Sequence, residues 1–132
     1  MIIPFLIGIL LMTSLSIASA SDIDSMLASY RDEGATDFSA VRGKLLWTST
    51  RLIDGEERAC SSCHTADPVA RGRHVKTGKT IEPIAVSANP ERFTDVSKTE
   101  KWFRRNCKWT LGRECTPQEK GDLLTWLGGQ QE

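Results

Sequence analysis

Apolar residues recur along this chain at helical spacing. Ile23, Met26, Leu27 and Tyr30 fall at i, i+3, i+4 and i+7, which predicts a helix over 22–30 ended by Glu33-Gly34. Phe38, Val41, Leu45 and Leu46 repeat the pattern over 38–47, with Ser39 placed to cap it. A third helix is predicted over 97–107, carrying Trp102 and Phe103. The strongest signal is the last. Thr116-Pro117-Gln118-Glu119 supplies a capping hydroxyl, a proline at the first helical position and a glutamate to return the cap, before Leu123, Leu124 and Leu127. Gly128-Gly129 stops it. No stretch alternates with period two for long enough to predict a strand. Residues 48–59 are polar with a turn at Asp54-Gly55, and 65–89 reads as loops with at most one turn of helix. The fold class is mostly α with long loops. Such loops need a rigid surface to pack on.

Residues 1–20 carry no charged side chain and end in Ala18-Ser19-Ala20, a small-x-small cleavage pattern. They read as a signal peptide, which leaves one domain over 21–132 and places it in an oxidising, exported compartment. The rival reading is an uncleaved anchor, which Pro4, Gly8 and Thr13-Ser14 disfavour. The chain has 17 Lys+Arg against 17 Asp+Glu. Neutrality argues against sequence-independent nucleic-acid binding, which needs excess cations to displace counterions.

The four cysteines carry the chemistry. Cys60-Ser61-Ser62-Cys63-His64 is a C-x-x-C-H motif, the signature of covalent c-type haem attachment. Its thiols can reach the two vinyl groups of one porphyrin, and His64 then stands as the proximal axial ligand. One haem c per chain is expected. A zinc site would want four ligands at closer spacing, and a thioredoxin-like dithiol would want a βαβ setting. Cys107 and Cys115 remain, and in an exported protein a leftover pair is most simply a disulfide, contributing roughly 2.5 kcal/mol.

The three methionines, Met1, Met12 and Met26, all precede the motif. A thioether opposite His64, the usual arrangement in electron-carrying class I cytochromes, is therefore not expected. The remaining candidates are His74, a harder side chain such as Asn or Lys, water, or no ligand.

The chain resembles the SHP family of oxygen-binding monohaem class I cytochromes c. The resemblance runs from about Val41 to Leu127, through RGKLLW at 42–47, CSSCH at 60–64, TGKTIEPIA at 77–85, NPERFTDVSKTEKWFRRNC at 89–107 and GRECTPQEKGDLLTWL at 112–127. It implies a small class I cytochrome c fold wrapped around one covalent haem. It implies Asn106, in the R-N-C segment, as a displaceable sixth ligand, with Cys107 paired to Cys115. An amide oxygen is a hard, weak donor, better suited to ferric than to ferrous iron. The resemblance also implies a periplasmic protein that accepts electrons, binds O₂, NO or CO when reduced, and exchanges electrons with a dihaem cytochrome c and a membrane cytochrome b. His74 is where this carry-over is open to challenge.

Two rivals stand beside that expectation. One is a bis-histidine shuttle, ligated by His64 and His74 and inert to gases. The other is a haem enzyme acting on O₂ or nitrogen oxides; no acid–base pair near His64 in the sequence calls for one. Supporting roles are expected for Gly43, letting the last helix cross with its Leu123/Leu127 face. A carbonyl near Pro83 is expected to accept from His64, and Arg71, Arg73, Lys76 and Lys79 are candidate partners for haem propionates. Trp102 and Trp109 flank Asn106 as candidate walls of the distal side.

Overall fold

The computed structural model describes residues 18–129. The expected leader therefore falls largely outside the described residues. Helix α1 runs Ala18–Asp32 and turns Met26 and Tyr30 inward, where they pack on Leu124 in one core cluster. These three are the largest fully buried side chains.

Helix α2, Ala40–Thr48, is capped by Ser39, whose Oγ accepts from the Arg42 amide. The last helix, α5, is Pro117–Gly128 with both arms of the capping box formed: Thr116 Oγ1 accepts from Glu119 N at 3.2 Å, and Glu119 Oε2 from Thr116 N at 2.8 Å. Helices α2 and α5 cross closely. A Cβ on Gly43 would stand 2.2 Å from the Asp122 carbonyl oxygen and 3.0 Å from Trp126 Cβ. The expectation of a close crossing holds, but its partners are corrected: they are the Asp122 backbone and Trp126. Leu123 and Leu127 instead join Trp47 and Trp126 in the second core cluster.

Asp122 locks the same crossing. It is 4% exposed and accepts from Ser39 N at 2.7 Å, Arg42 Nε at 2.8 Å, Arg42 Nη2 at 2.9 Å and Gln118 Nε2 at 3.1 Å. Four donors give a buried carboxylate what water would have given it.

Two short antiparallel hairpins were not legible as strands. β1 (Arg51–Ile53) pairs with β2 (Glu56–Arg58). The turn between them has positive φ at Asp54 (52°) and Gly55 (79°), the geometry that matches strand twist across a two-residue turn. β3 (Gly72–Arg73) pairs with β4 (Thr80–Ile81). Pieces this short cannot display an alternation. Between the hairpins lies α3, Ser61–His64, a single turn.

Helix α4 is longer than the sequence suggested. It runs Val96–Leu111, capped by Asp95 Oδ1 accepting from Lys98 N at 2.8 Å. It stops at Gly112, which takes the left-handed conformation (φ 70°) and returns its amide to the Lys108 carbonyl. The helix predicted over 97–107 thus continues through Leu111. The Cys107–Cys115 disulfide, with Cα atoms 5.5 Å apart, ties the last turns of this helix to the residue before the cap of α5.

Candidate functional site

The C-x-x-C-H motif winds into α3, so Cys63 and His64 stand three and four residues beyond Cys60, on the same side of one helical turn. The turn is closed by His64 N donating to Cys60 O at 3.2 Å and Thr65 N to Ser61 O at 3.0 Å. Thr65 then breaks it, with φ at 66°. Cys60 and Cys63 are both free thiols.

Three neighbours fix the motif. Trp47, from α2, lays its indole 5.2 Å from the His64 imidazole and donates Nε1–H to the Thr65 carbonyl at 2.8 Å. Gly72, from β3, presses its backbone on the other side; a Cβ there would meet the Cys63 carbonyl oxygen at 2.1 Å. Thr110, from α4, is 3% exposed and its hydroxyl lies against the Cys60 sulfur. Three distant segments therefore meet on five consecutive residues.

Burial pushes the Cys60 thiol up to about 11, against the opposing pull of Thr110 and Arg51. It stays protonated at neutral pH. Burial first, and the Arg92 charge second, lower His64 to about 4. The imidazole is therefore neutral, with a lone pair for a metal. Arg92 is held by two backbone carbonyls, Nε to Pro83 O at 2.8 Å and Nη2 to Glu82 O at 2.7 Å. Asn89 Nδ2 also donates to Pro83 O at 3.3 Å. The Pro83 carbonyl itself accepts from Asn89 and Arg92.

Asn106 lies one turn before Thr110 on α4, exposed, and its side chain makes no hydrogen bond among the described residues. Trp102 stands one turn before it and Trp109 three residues after, so the three share a helix flank. Trp109 lines a cavity of about 270 Å³ with Arg58, Ser62 and Val75. The Arg58 guanidinium sits 5.0 Å over its ring and donates to its carbonyl at 3.1 Å.

His74 occupies the turn between β3 and β4. Its Nδ1 accepts from the amides of Lys76 and Thr77, both at 3.2 Å. Two donors aimed at Nδ1 place the proton of the neutral ring on Nε2. That tautomer offers no lone pair outward, so ligation by Nε2 would require exchanging the proton and breaking both bonds. Of the cations suggested for propionates, Arg71 pairs with Glu82 at 3.2 Å and Arg73 donates to the Gly78 carbonyl at 3.0 Å. Lys76 and Lys79 are exposed.

Among the described residues, no group of three or more His, Cys, Asp or Glu side chains converges on a metal position. A zinc site has no ligand set here. Two free thiols, a neutral histidine and a glycine-walled cradle fit a covalently attached porphyrin. Sequence reasoning missed Thr110 and Arg92, whose roles exist only through contacts distant in the chain; Trp47 was visible only as the end of an apolar stripe.

Residues 33–127 match the family described as "Domain of unknown function (DUF1924)". The chain is 40% identical over 127 residues to the cytochrome c-type protein SHP of Cereibacter sphaeroides, covering 96% of this chain and 98% of that protein. It is 44% identical over 90 residues to cytochrome c″ of Methylophilus methylotrophus, covering 67% of this chain and 62% of that one. The structure of oxidised SHP, an oxygen-binding cytochrome c, matches with a TM-score of 0.76 at 42% identity, over 82% of this chain and 96% of that chain. A solution structure of M. methylotrophus cytochrome c″, bearing on haem-ligand detachment, matches with a TM-score of 0.74 at 31% identity, over 82% and 93%.

Proposed function

The chain belongs to the SHP family of c-type cytochromes, and from that premise we propose that it is an exported, periplasmic monohaem protein with a displaceable sixth ligand. It accepts electrons and, when reduced, binds O₂, NO or CO. Bound haem supplies reversible one-electron exchange and an iron position open to small gases. Everything else is the work of this chain's residues. Cys60 and Cys63 would hold the porphyrin as thioethers, and His64, kept neutral by burial, would bind its iron. Trp47 packs against that imidazole, and Gly72 against the backbone that carries it.

Asn106 would be the displaceable ligand. The observation that carries this assignment is the approach of buried Thr110 to Cys60, which sets α4 against the attachment site with Asn106 one turn away. Its amide makes no competing hydrogen bond, and a neutral amide oxygen binds ferric iron only weakly. His74 is the poorer candidate because its ring is committed to its own turn. The likeness to a cytochrome c″ whose structure concerns ligand detachment supports a ligand that leaves. A dihaem cytochrome c and a membrane cytochrome b are the redox partners that the family resemblance supplies.

Absorption spectra of the holoprotein test the reading. Ferrous protein is expected to be high-spin and to take up CO at once. Asn106→Ala is expected to change ferric coordination with haem still attached, and His74→Ala to leave it unchanged. A low-spin ferrous protein inert to CO, or a spin change in His74→Ala, overturns the ligand assignment.

A further inference from the structure

Helix α4 has a second face that haem attachment does not use. At 3.6 residues per turn, Lys98, Lys101, Arg104, Arg105 and Lys108 fall in one arc, opposite the side where Thr99, Cys107 and Thr110 are buried. All five are exposed. The helix's one carboxylate, Glu100, lies off the arc and is taken up by Lys120 at 2.6 Å and by the Tyr30 hydroxyl. Among the described residues, Lys108 alone of the five has an ion pair, with Glu114 at 3.2 Å. The chain as a whole is neutral, so the arc is a segregation of charge and not an overflow of it.

We infer that this arc is the docking face for the acidic surface of a soluble electron-donor protein, an inference that rests on the haem reading above. Clustered cations raise the encounter rate with an acidic partner and orient it before contact. The arc itself carries no apolar side chain, and Trp102 at its margin lies 5.4 Å beneath the Arg105 guanidinium. A helix that seats in lipid presents Trp, Phe or Leu among its cations to enter the acyl boundary; here the five cations are contiguous and the exposed Trp102 stands beside them, under Arg105. Such a contact is small, polar and reversible, as electron-transfer encounters are. The position is also apt. The arc is about one helix width, roughly 10 Å, from the face that touches Cys60.

The test uses holoprotein and photoreduced flavodoxin, an acidic one-electron donor, as the probe. Stopped-flow rates are compared at low ionic strength for wild type, for Lys101→Glu/Arg105→Glu, and for the control Arg31→Glu/Lys44→Glu, which carries the same charge change elsewhere. The arc variant is expected to slow by about tenfold or more and the control by less than about twofold, the difference closing at high salt. Equal slowing in both variants, or none, overturns the inference. Arc-dependent sedimentation with phosphatidylglycerol vesicles, with flavodoxin rates unchanged, assigns the arc to lipid and also overturns it. A preparation with no Soret band brings down the haem reading itself, whereas normal reduction insensitive to the arc brings down this inference alone.

Discussion

The Trp47 indole and the His64 imidazole stand 5.2 Å apart at 40°, and the indole N–H is tied to the residue after the histidine. One side chain of α2 thereby fixes both the ring and the backbone of the motif. Trp47→Phe keeps the ring contact and removes the bond to Thr65, and is expected to destabilise the holoprotein by about 1–2 kcal/mol. Trp47→Ala is expected to cost about 3–5 kcal/mol through the cavity it leaves. Denaturant titration followed at the Soret band measures both. Equal stability in the Phe variant would show that the Thr65 bond is dispensable.

Gly43→Ala should be among the most damaging single-methyl changes in the protein. Alanine favours a helix by about 1 kcal/mol over glycine, but here its methyl would lie 2.2 Å from a backbone oxygen of α5. Overpacking is expected to win, with a net loss of about 2 kcal/mol or more. Lys44→Ala, at an exposed neighbour, is the control and should change little. A thermal melt of each is sufficient, and an unchanged midpoint for Gly43→Ala would mean that α2 and α5 can separate freely.

Asp122 gathers four donors in a buried position. Asp122→Ala is expected to cost about 1–3 kcal/mol, chiefly because the Ser39 amide loses its acceptor; the Arg42 guanidinium, half exposed, is rehydrated. Asp122→Asn should cost less, retaining an acceptor oxygen but not the charge. Circular dichroism under urea distinguishes them. Loss of α2 helicity ahead of global unfolding is the expected signature.

Glu119 gives a pH dependence of defined sign. The Arg113 hydrogen bond, ahead of the capping bond to Thr116, lowers its carboxyl below the usual range. The unfolded chain therefore takes up that proton first as pH falls. The stabilisation is fully present above the ordinary glutamate value near 4.3 and is lost as pH drops through the lowered folded value. Glu119→Gln is expected to cost about 1 kcal/mol at pH 7 and nothing in strong acid. A variant offset that persisted at low pH would contradict the ionic contribution.

What the sequence determined by itself is what a few adjacent residues can specify. Cys60, Cys63 and His64 announce their chemistry because thioether attachment needs that spacing within one turn. Ser39 and Thr116 mark helix starts because a cap and its amide lie within three residues. The end of α4 was misplaced, since Gly112 stops a helix only if the residues before it stay helical, and burial of Thr110 decided that. The two hairpins were lost because strands of two or three residues carry no period.

Only the tertiary structure brought Thr110 to Cys60, Arg92 to the surroundings of His64, and the Asp122 backbone to Gly43. Each joins residues far apart in the chain, and no local pattern encodes a contact whose energy exists only after the chain has closed on itself. The proposal of Asn106 over His74 rests on features of that kind. Either residue can bind iron by its chemistry, and the two amides that converge on the His74 ring, together with the helix that carries Asn106 past Cys60, exist only in the folded chain.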